Sequence, residues 1–198
     1  MPGRMMNFIR YSHTLPGEIK CSIHRQTMYK PESAPPRSEA RSGQVDSSLF
    51  CNAMAQFATG ITIITCRTAA GEPVGLTVNS FNSVSLSPPL VLWSLSRRFK
   101  NFTAFEETRY YGVSVLSAEQ EHLSKRFSAF HGDRFDGVDT QQGLFNVPLI
   151  ANALAHFECQ VRTRYHEGDH VIVVGEVLNC THSEGPALVY KARNYGAI

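Results

Sequence analysis

Small polar side chains crowd into one stretch, Gly75-Leu-Thr-Val-Asn-Ser-Phe-Asn-Ser-Val-Ser-Leu-Ser-Pro-Pro-Leu90. Thr77, Asn79, Ser83 and Ser85 fall on one parity of a segment that otherwise reads as a buried strand. Buried polar groups need partners, and each one left without a partner costs a few kcal/mol. A polar ligand rich in acceptors would satisfy them, and a strand with one wet face explains the same parity. Ser94 and Ser96, followed by Arg97-Arg98-Phe99-Lys100-Asn101, set hydroxyls and cations between a strand and a helix start. That combination suits a phosphate, and it also suits a solvated basic turn. Gly168-Asp169-His170 puts an imidazole at the mouth of a strand, where it can donate a hydrogen bond, guide a ligand or serve a purely structural role.

Other chemistries lack their residues. The chain has no G-x-S-x-G, no P-loop and no paired-carboxylate motif, so hydrolytic and nucleotide-triphosphate chemistry find little support. The five cysteines, Cys21, Cys51, Cys66, Cys159 and Cys180, form no C-x-x-C pair, and the histidines show no ligand spacing. Neither a metal site nor a disulfide framework is expected, and reduced, mostly buried thiols suit a cytoplasmic protein. The formal net charge of +2 is too small for a nucleic-acid binder. Residues 49–198 hold 12 Lys/Arg against 13 Asp/Glu, so the folded part has no basic footprint. No apolar run is long enough to span a membrane as a helix.

The elements that must position these residues follow from periodicity. Asp46 or Ser47 caps a helix whose Leu49, Phe50, Ala53, Met54 and Phe57 share one face, and Gly60 stops it. Ile61–Thr68 is a β-branched strand, Pro73–Leu86 a second long strand, and Leu90–Ser96 a third after the Pro88-Pro89 break. Lys100–Thr108 reads as a helix, Tyr110–Leu116 as a strand, and Ala118–Phe130 as an amphipathic helix with Leu123, Phe127 and Phe130 inward. A polar loop over His131–Val147 precedes two long β runs, Ala151–His166 and His170–His182, joined at Glu167-Gly168-Asp169. Ala187–Lys191 is a short final strand. The balance predicts a mainly β (α+β) fold, a β-barrel with peripheral helices, in one domain over 46–198. No G-x-G-x-x-G follows a strand, which disfavours a Rossmann fold. Residues 1–45 hold five of the ten prolines and few large apolar residues, and are expected to be a disordered or loosely attached extension.

Five motifs in order resemble the flavin reductase family, the NAD(P)H:flavin oxidoreductases that serve two-component flavin monooxygenases. They are F-x-N-A-M-A-Q-F-A-T-G-I-T-I-I-T (Phe50–Thr65), the Gly75–Leu92 stretch, L-S-K-R-F-S (Leu123–Ser128), G-D-H-V-I-V-V-G-E-V (Gly168–Val177) and L-V-Y-K-A-R-N-Y-G (Leu188–Gly196). The resemblance implies a homodimeric Greek-key split barrel that binds FMN or FAD. It also implies hydride transfer from NADH or NADPH and release of reduced flavin to a separate oxygenase. By position it implies that Thr77, Asn79, Ser80 and Phe81 line the isoalloxazine and ribityl chain, with Ser83 and Ser94 beside them. Lys100 and Asn101, with Arg97 or Arg98, would approach the phosphate. Phe127 would pack near the flavin, His170 would position the nicotinamide, and Tyr195 would close the pocket. A flavin carrier or sensor, and an FMN-dependent oxidase of a small molecule, are the competing functions.

Overall fold

The structure is a computed structural model that describes residues 45–128 and 132–198. The expected N-terminal extension, Cys21, Phe130 and His131 lie outside the described residues.

Asp46 opens α1 (Ser47–Met54): its carboxylate accepts the Leu49 amide at 2.9 Å, satisfying a donor that no helical carbonyl can reach. The helix ends at Ala55, before Gly60, and none of its residues is buried. Gly60 instead lies in β1 (Thr59–Gly60). The expected strand after it is β2 (Thr62–Arg67), buried on nearly its full length as β-branched residues favour.

The long strand expected over Pro73–Leu86 is two strands. β3 (Pro73–Val78) pairs with β2, and β4 (Asn82–Leu86) pairs with β5 (Pro89–Ser96). The chain turns at Asn79-Ser80-Phe81, and this turn ends the single parity on which the four polar residues had been aligned. A register shift between Ser83 and Ser85 disturbs the alternation further. β5 starts at Pro89, after a cis Ser87–Pro88 peptide.

α2 (Phe102–Glu107) leads to β6 (Tyr110–Val115), and a 3-10 turn over Ala118–Gln120 leads to α3 (Glu121–Ser128). The segment expected to be a polar loop contains β7 (Thr140–Gln142), which pairs with β8 (Pro148–Ile150). β9 (Ala155–Glu167) and β10 (His170–His182) form the expected hairpin, with Gly168 at φ +56° in the turn that L side chains rarely adopt. β11 (Leu188–Lys191) pairs with β1 and with β12 (Asn194–Ala197), a strand the periodicity gave no sign of.

The main sheet has seven antiparallel strands in the order β3-β2-β6-β9-β10-β5-β4. The fold is therefore mostly β with few helices, and β3 and β4 are the sheet edges. Its core draws on both ends of that order: Val74, Leu76 and Val78 of β3 pack in one cluster with Val91, Trp93 and Leu95 of β5. A smaller cluster gathers Ile61, Ile63, Leu116, Phe127, Ile150 and Leu188. Gly75 lets α3 approach β3, since a Cβ there would sit 2.6 Å from the Phe127 ring. Among the described residues no helix is long and apolar enough to cross a membrane.

Candidate functional site

A cavity of about 810 Å³ opens between α1 and the turn that joins β3 to β4. Its volume lies within the roughly 300–1,000 Å³ of small-molecule pockets. Asn79, Ser80, Phe81 and Asn82 form one wall, Phe50, Cys51, Met54 and Phe57 another, and His170 and Tyr190 complete it. One side is thus apolar and aromatic, and the other offers amides, hydroxyls and an imidazole.

Local structure fixes the polar wall. The Ser94 amide donates to Ser80 Oγ at 2.9 Å, tying the β3–β4 turn to β5. Phe81 packs on Phe157 with ring centroids 5.3 Å apart. His170 pairs with Ser96 at the start of β10, directly after the Gly168 turn. Its Nδ1 lies 2.8 Å from Asp169 Oδ1. The hydrogen bond and charge of His170, with Arg98 nearby, hold the Asp169 carboxyl below its ordinary range. An ionised carboxylate only accepts, so Nδ1 carries the proton, and Nε2 is an acceptor whenever the ring is neutral.

Other residues implied by the resemblance stand elsewhere. Thr77 donates to the Ser124 carbonyl at 2.7 Å, and Ser124 Oγ lies 2.9 Å from the Tyr195 hydroxyl. These three form a chain from β3 through α3 to β12. Tyr195 backs the cavity-lining Tyr190, with ring centroids 5.0 Å apart. Phe127 is fully buried in the smaller core cluster. Ser83 is exposed on β4, and Ser94 contributes through its backbone amide. Arg97 engages His166 Nδ1 at 2.8 Å and lies over the Phe102 ring, whereas Arg98 is exposed beside Asp169. Lys100 and Asn101 line two other clefts, of about 580 and 310 Å³, which share no lining residue with the cavity.

Some cavity residues escaped the sequence reading. Phe57, Thr59 and Tyr190 line the cavity without having been singled out. Thr59 Oγ1 is buried there with no hydrogen-bond partner. An orphaned hydroxyl beside an aromatic wall fits a planar ligand with a polar edge, which is the shape and chemistry of a flavin ring. The signal was the apolar run before Gly60, read as one helix face when its end in fact leaves the helix to line the cavity.

Known proteins resemble this chain over most of its length. Residues 54–198 match the flavin reductase like domain. The FMN reductase (NADH) SmoA of Agrobacterium fabrum is 44% identical over 154 residues, covering 78% of this chain and 87% of its own. The flavin-dependent monooxygenase reductase subunit HsaB of Rhodococcus jostii is 34% identical, covering 77% of this chain and 78% of its own. Among solved structures, the NADH:FAD oxidoreductase SgcE6 of Streptomyces globisporus, in complex with NAD and FAD fragments, superposes with a TM-score of 0.72 at 36% identity, over 76% of this chain and 92% of that one. With the family match spanning nearly all of the described fold, the chain belongs to the flavin reductase-like domain family.

Proposed function

We propose that this protein is an NADH-dependent flavin reductase that supplies reduced FMN or FAD to a separate monooxygenase component. The observation that carries the reading is the cavity in which Asn79, Ser80, Phe81 and His170 converge opposite an aromatic wall. The names of the relatives support it: SmoA is an FMN reductase using NADH, and HsaB is the reductase subunit of a monooxygenase. They give no support to a flavin carrier or to an oxidase with its own substrate.

When bound, the flavin supplies a two-electron acceptor for hydride. The net reaction takes NADH, a proton and oxidised flavin to NAD⁺ and reduced flavin. This chain's part is positioning, since hydride transfer needs the two rings stacked and no protein acid or base. Asn79, Ser80 and Thr59 would meet the polar edge of the ring, and Phe57 and Phe81 would hold its apolar body. His170 Nε2, when the ring is neutral, would accept from the nicotinamide carboxamide and so orient the donor. NADPH in place of NADH remains within the same chemistry.

The finer architecture belongs to this reading. The mixing of β3 and β5 residues in one core supports a sheet curled into a Greek-key split barrel. Leu49, Phe50, Met54 and Phe57 on and after α1, and Leu86 on the β4 edge, are exposed apolar residues. A second copy of the chain would cover them, giving a homodimer with the cavity beside its interface. In this reading residues 46–198 form the catalytic domain and residues 1–45 an extension to it, and the pyridine-nucleotide chemistry and free thiols support a cytoplasmic location.

The test is NADH oxidation at 340 nm by the purified full chain, with and without added FMN or FAD. Rapid oxidation that requires free flavin is expected. No turnover with either flavin and either pyridine nucleotide would remove the reading.

A further inference from the structure

We propose, resting on the flavin reductase reading, that Arg193 is a positioning residue for the flavin: from the turn between β11 and β12 it clamps α1 and so sets the gap that receives the ring. Arg193 itself lies outside the cavity lining and acts through the helix.

The turn is strained. Lys191 pairs with Asn194, so Ala192 and Arg193 are a two-residue hairpin loop, and both hold positive φ, at 49° and 65°. That backbone suits Asn-Gly, and alanine and arginine are strained in it. Such strain persists only where the surroundings hold it in place. Here the turn is held against α1. The Ala192 amide donates to the Ala55 carbonyl at 2.6 Å, and Arg193 Nη2 donates to Asn52 Oδ1 at 3.2 Å. Asn194 Nδ2 braces the loop from within, donating to the Ala192 carbonyl at 2.9 Å.

α1 needs an anchor of this kind. None of its residues is buried, so packing on the core does not fix it. Its last turn carries no basic residue, and Ala55 stands where helical carbonyls lack amide partners. The β11–β12 turn supplies an amide to one of these carbonyls and a guanidinium near the negative end of the helix. The same helix gives the cavity Phe50, Cys51 and Met54, across from the Asn79–Asn82 wall. The hairpin also enters the cavity directly: Tyr190 of β11 stands opposite Thr59 of β1 in register, and both line it. The apolar wall is thus held at two points, β1 by strand pairing and α1 by the turn. Loss of the second point frees the wall while β1 stays paired.

The experiment uses the full-length protein and separates the clamp from the stability of the turn. FMN binding is read by fluorescence quenching, stability by thermal melting, and α1 mobility by amide hydrogen exchange. Arg193→Gly relieves the strain and removes the guanidinium. It should weaken FMN about fivefold, roughly the worth of one hydrogen bond. Exchange over residues 47–55 should quicken, with a Tm no lower than that of wild type. Arg193→Lys should fall between. Asn52→Ala should match Arg193→Gly, and the double variant should lose no more than either single one, because both remove the same contact. In turnover the KM for flavin should rise, with the KM for NADH unmoved. Unchanged FMN affinity in Arg193→Gly, losses that add in the double variant, or a loss of affinity that follows a fall in Tm would each overturn the clamp. Wild type that oxidises no NADH, with FMN affinity still dependent on Arg193, removes the reductase and keeps the clamp. Turnover by wild type with FMN affinity indifferent to Arg193 does the reverse.

Discussion

His170 and the four described cysteines show how much a residue's environment decides. The bond from His170 Nδ1 to Asp169 leaves Nε2 as the acceptor, so His170→Ala should raise the KM for NADH by up to about tenfold, the worth of one hydrogen bond, with kcat changed less. Asp169→Asn should do the same more weakly, by freeing the tautomer. Steady-state kinetics on both variants decide this, and an unchanged KM in His170→Ala would make the residue structural. Because the Asp169 carboxyl is held low, its pairing with His170 is intact above ordinary carboxylate pKa values and is lost only as pH falls through the lowered one. Titration of Asp169 should therefore leave NADH affinity unchanged around neutral pH. Burial pushes the Cys66 and Cys159 thiols up to about 12, while Cys51 and Cys180 are exposed. At pH 8 the buried pair would be thiolate on the order of one part in ten thousand. A maleimide footprint read by mass spectrometry should label Cys51 and Cys180 in the native protein, and Cys66 and Cys159 only after unfolding.

At the scale of elements, a side-chain carboxylate holds the β7–β8 connection in place. Glu158 of β9 is buried, accepts the Leu144 amide through Oε2, and accepts Asn179 Nδ2 through Oε1 at 2.7 Å. It thus ties together β9, β10 and a loop whose Phe145 and Asn146 hold positive φ. Glu158→Ala removes the acceptors of both the Leu144 amide and Asn179 Nδ2 and should cost about 2 kcal/mol. A thermal melt should show a Tm lower by about 4–8 °C for a chain of this size. A Tm within a degree of wild type would show that water replaces the carboxylate. The sequence gave no hint of this clamp, because its partners stand 14 and 21 residues away and meet only through strand register. The hairpin of β9 and β10 was legible for the opposite reason: two β-prone runs and a glycine turn are local signals.

For the whole molecule, the exposed apolar residues are the main departure from expectation. The periodicity of Leu49, Phe50, Met54 and Phe57 reads as a face packed on the chain's own core, yet Phe57 is 69% exposed and Leu49 64%. Residues of this kind left in water cost apolar burial, and the proposed second copy would restore it. Light scattering on the eluted peak should give about twice 22.0 kDa. A mass of one chain at micromolar concentration would remove the homodimer.

The sequence by itself determined most of the strands and helices, the hairpin at Gly168, a helix cap at Asp46 or Ser47 and the family resemblance, since each depends on residue types within a few positions of one another. It also named the residues Asn79, Ser80, Phe81 and His170 that the cavity brings together. Only the tertiary structure decided that Thr77 and Tyr195 spend their hydroxyls on Ser124, that Phe127 belongs to the core, and that Arg193 meets Asn52. Those outcomes rest on long-range strand order and on which face of a strand a turn leaves outward. The break between β3 and β4 at Asn79-Ser80-Phe81 ends that parity, and side-chain alternation alone carries no record of it.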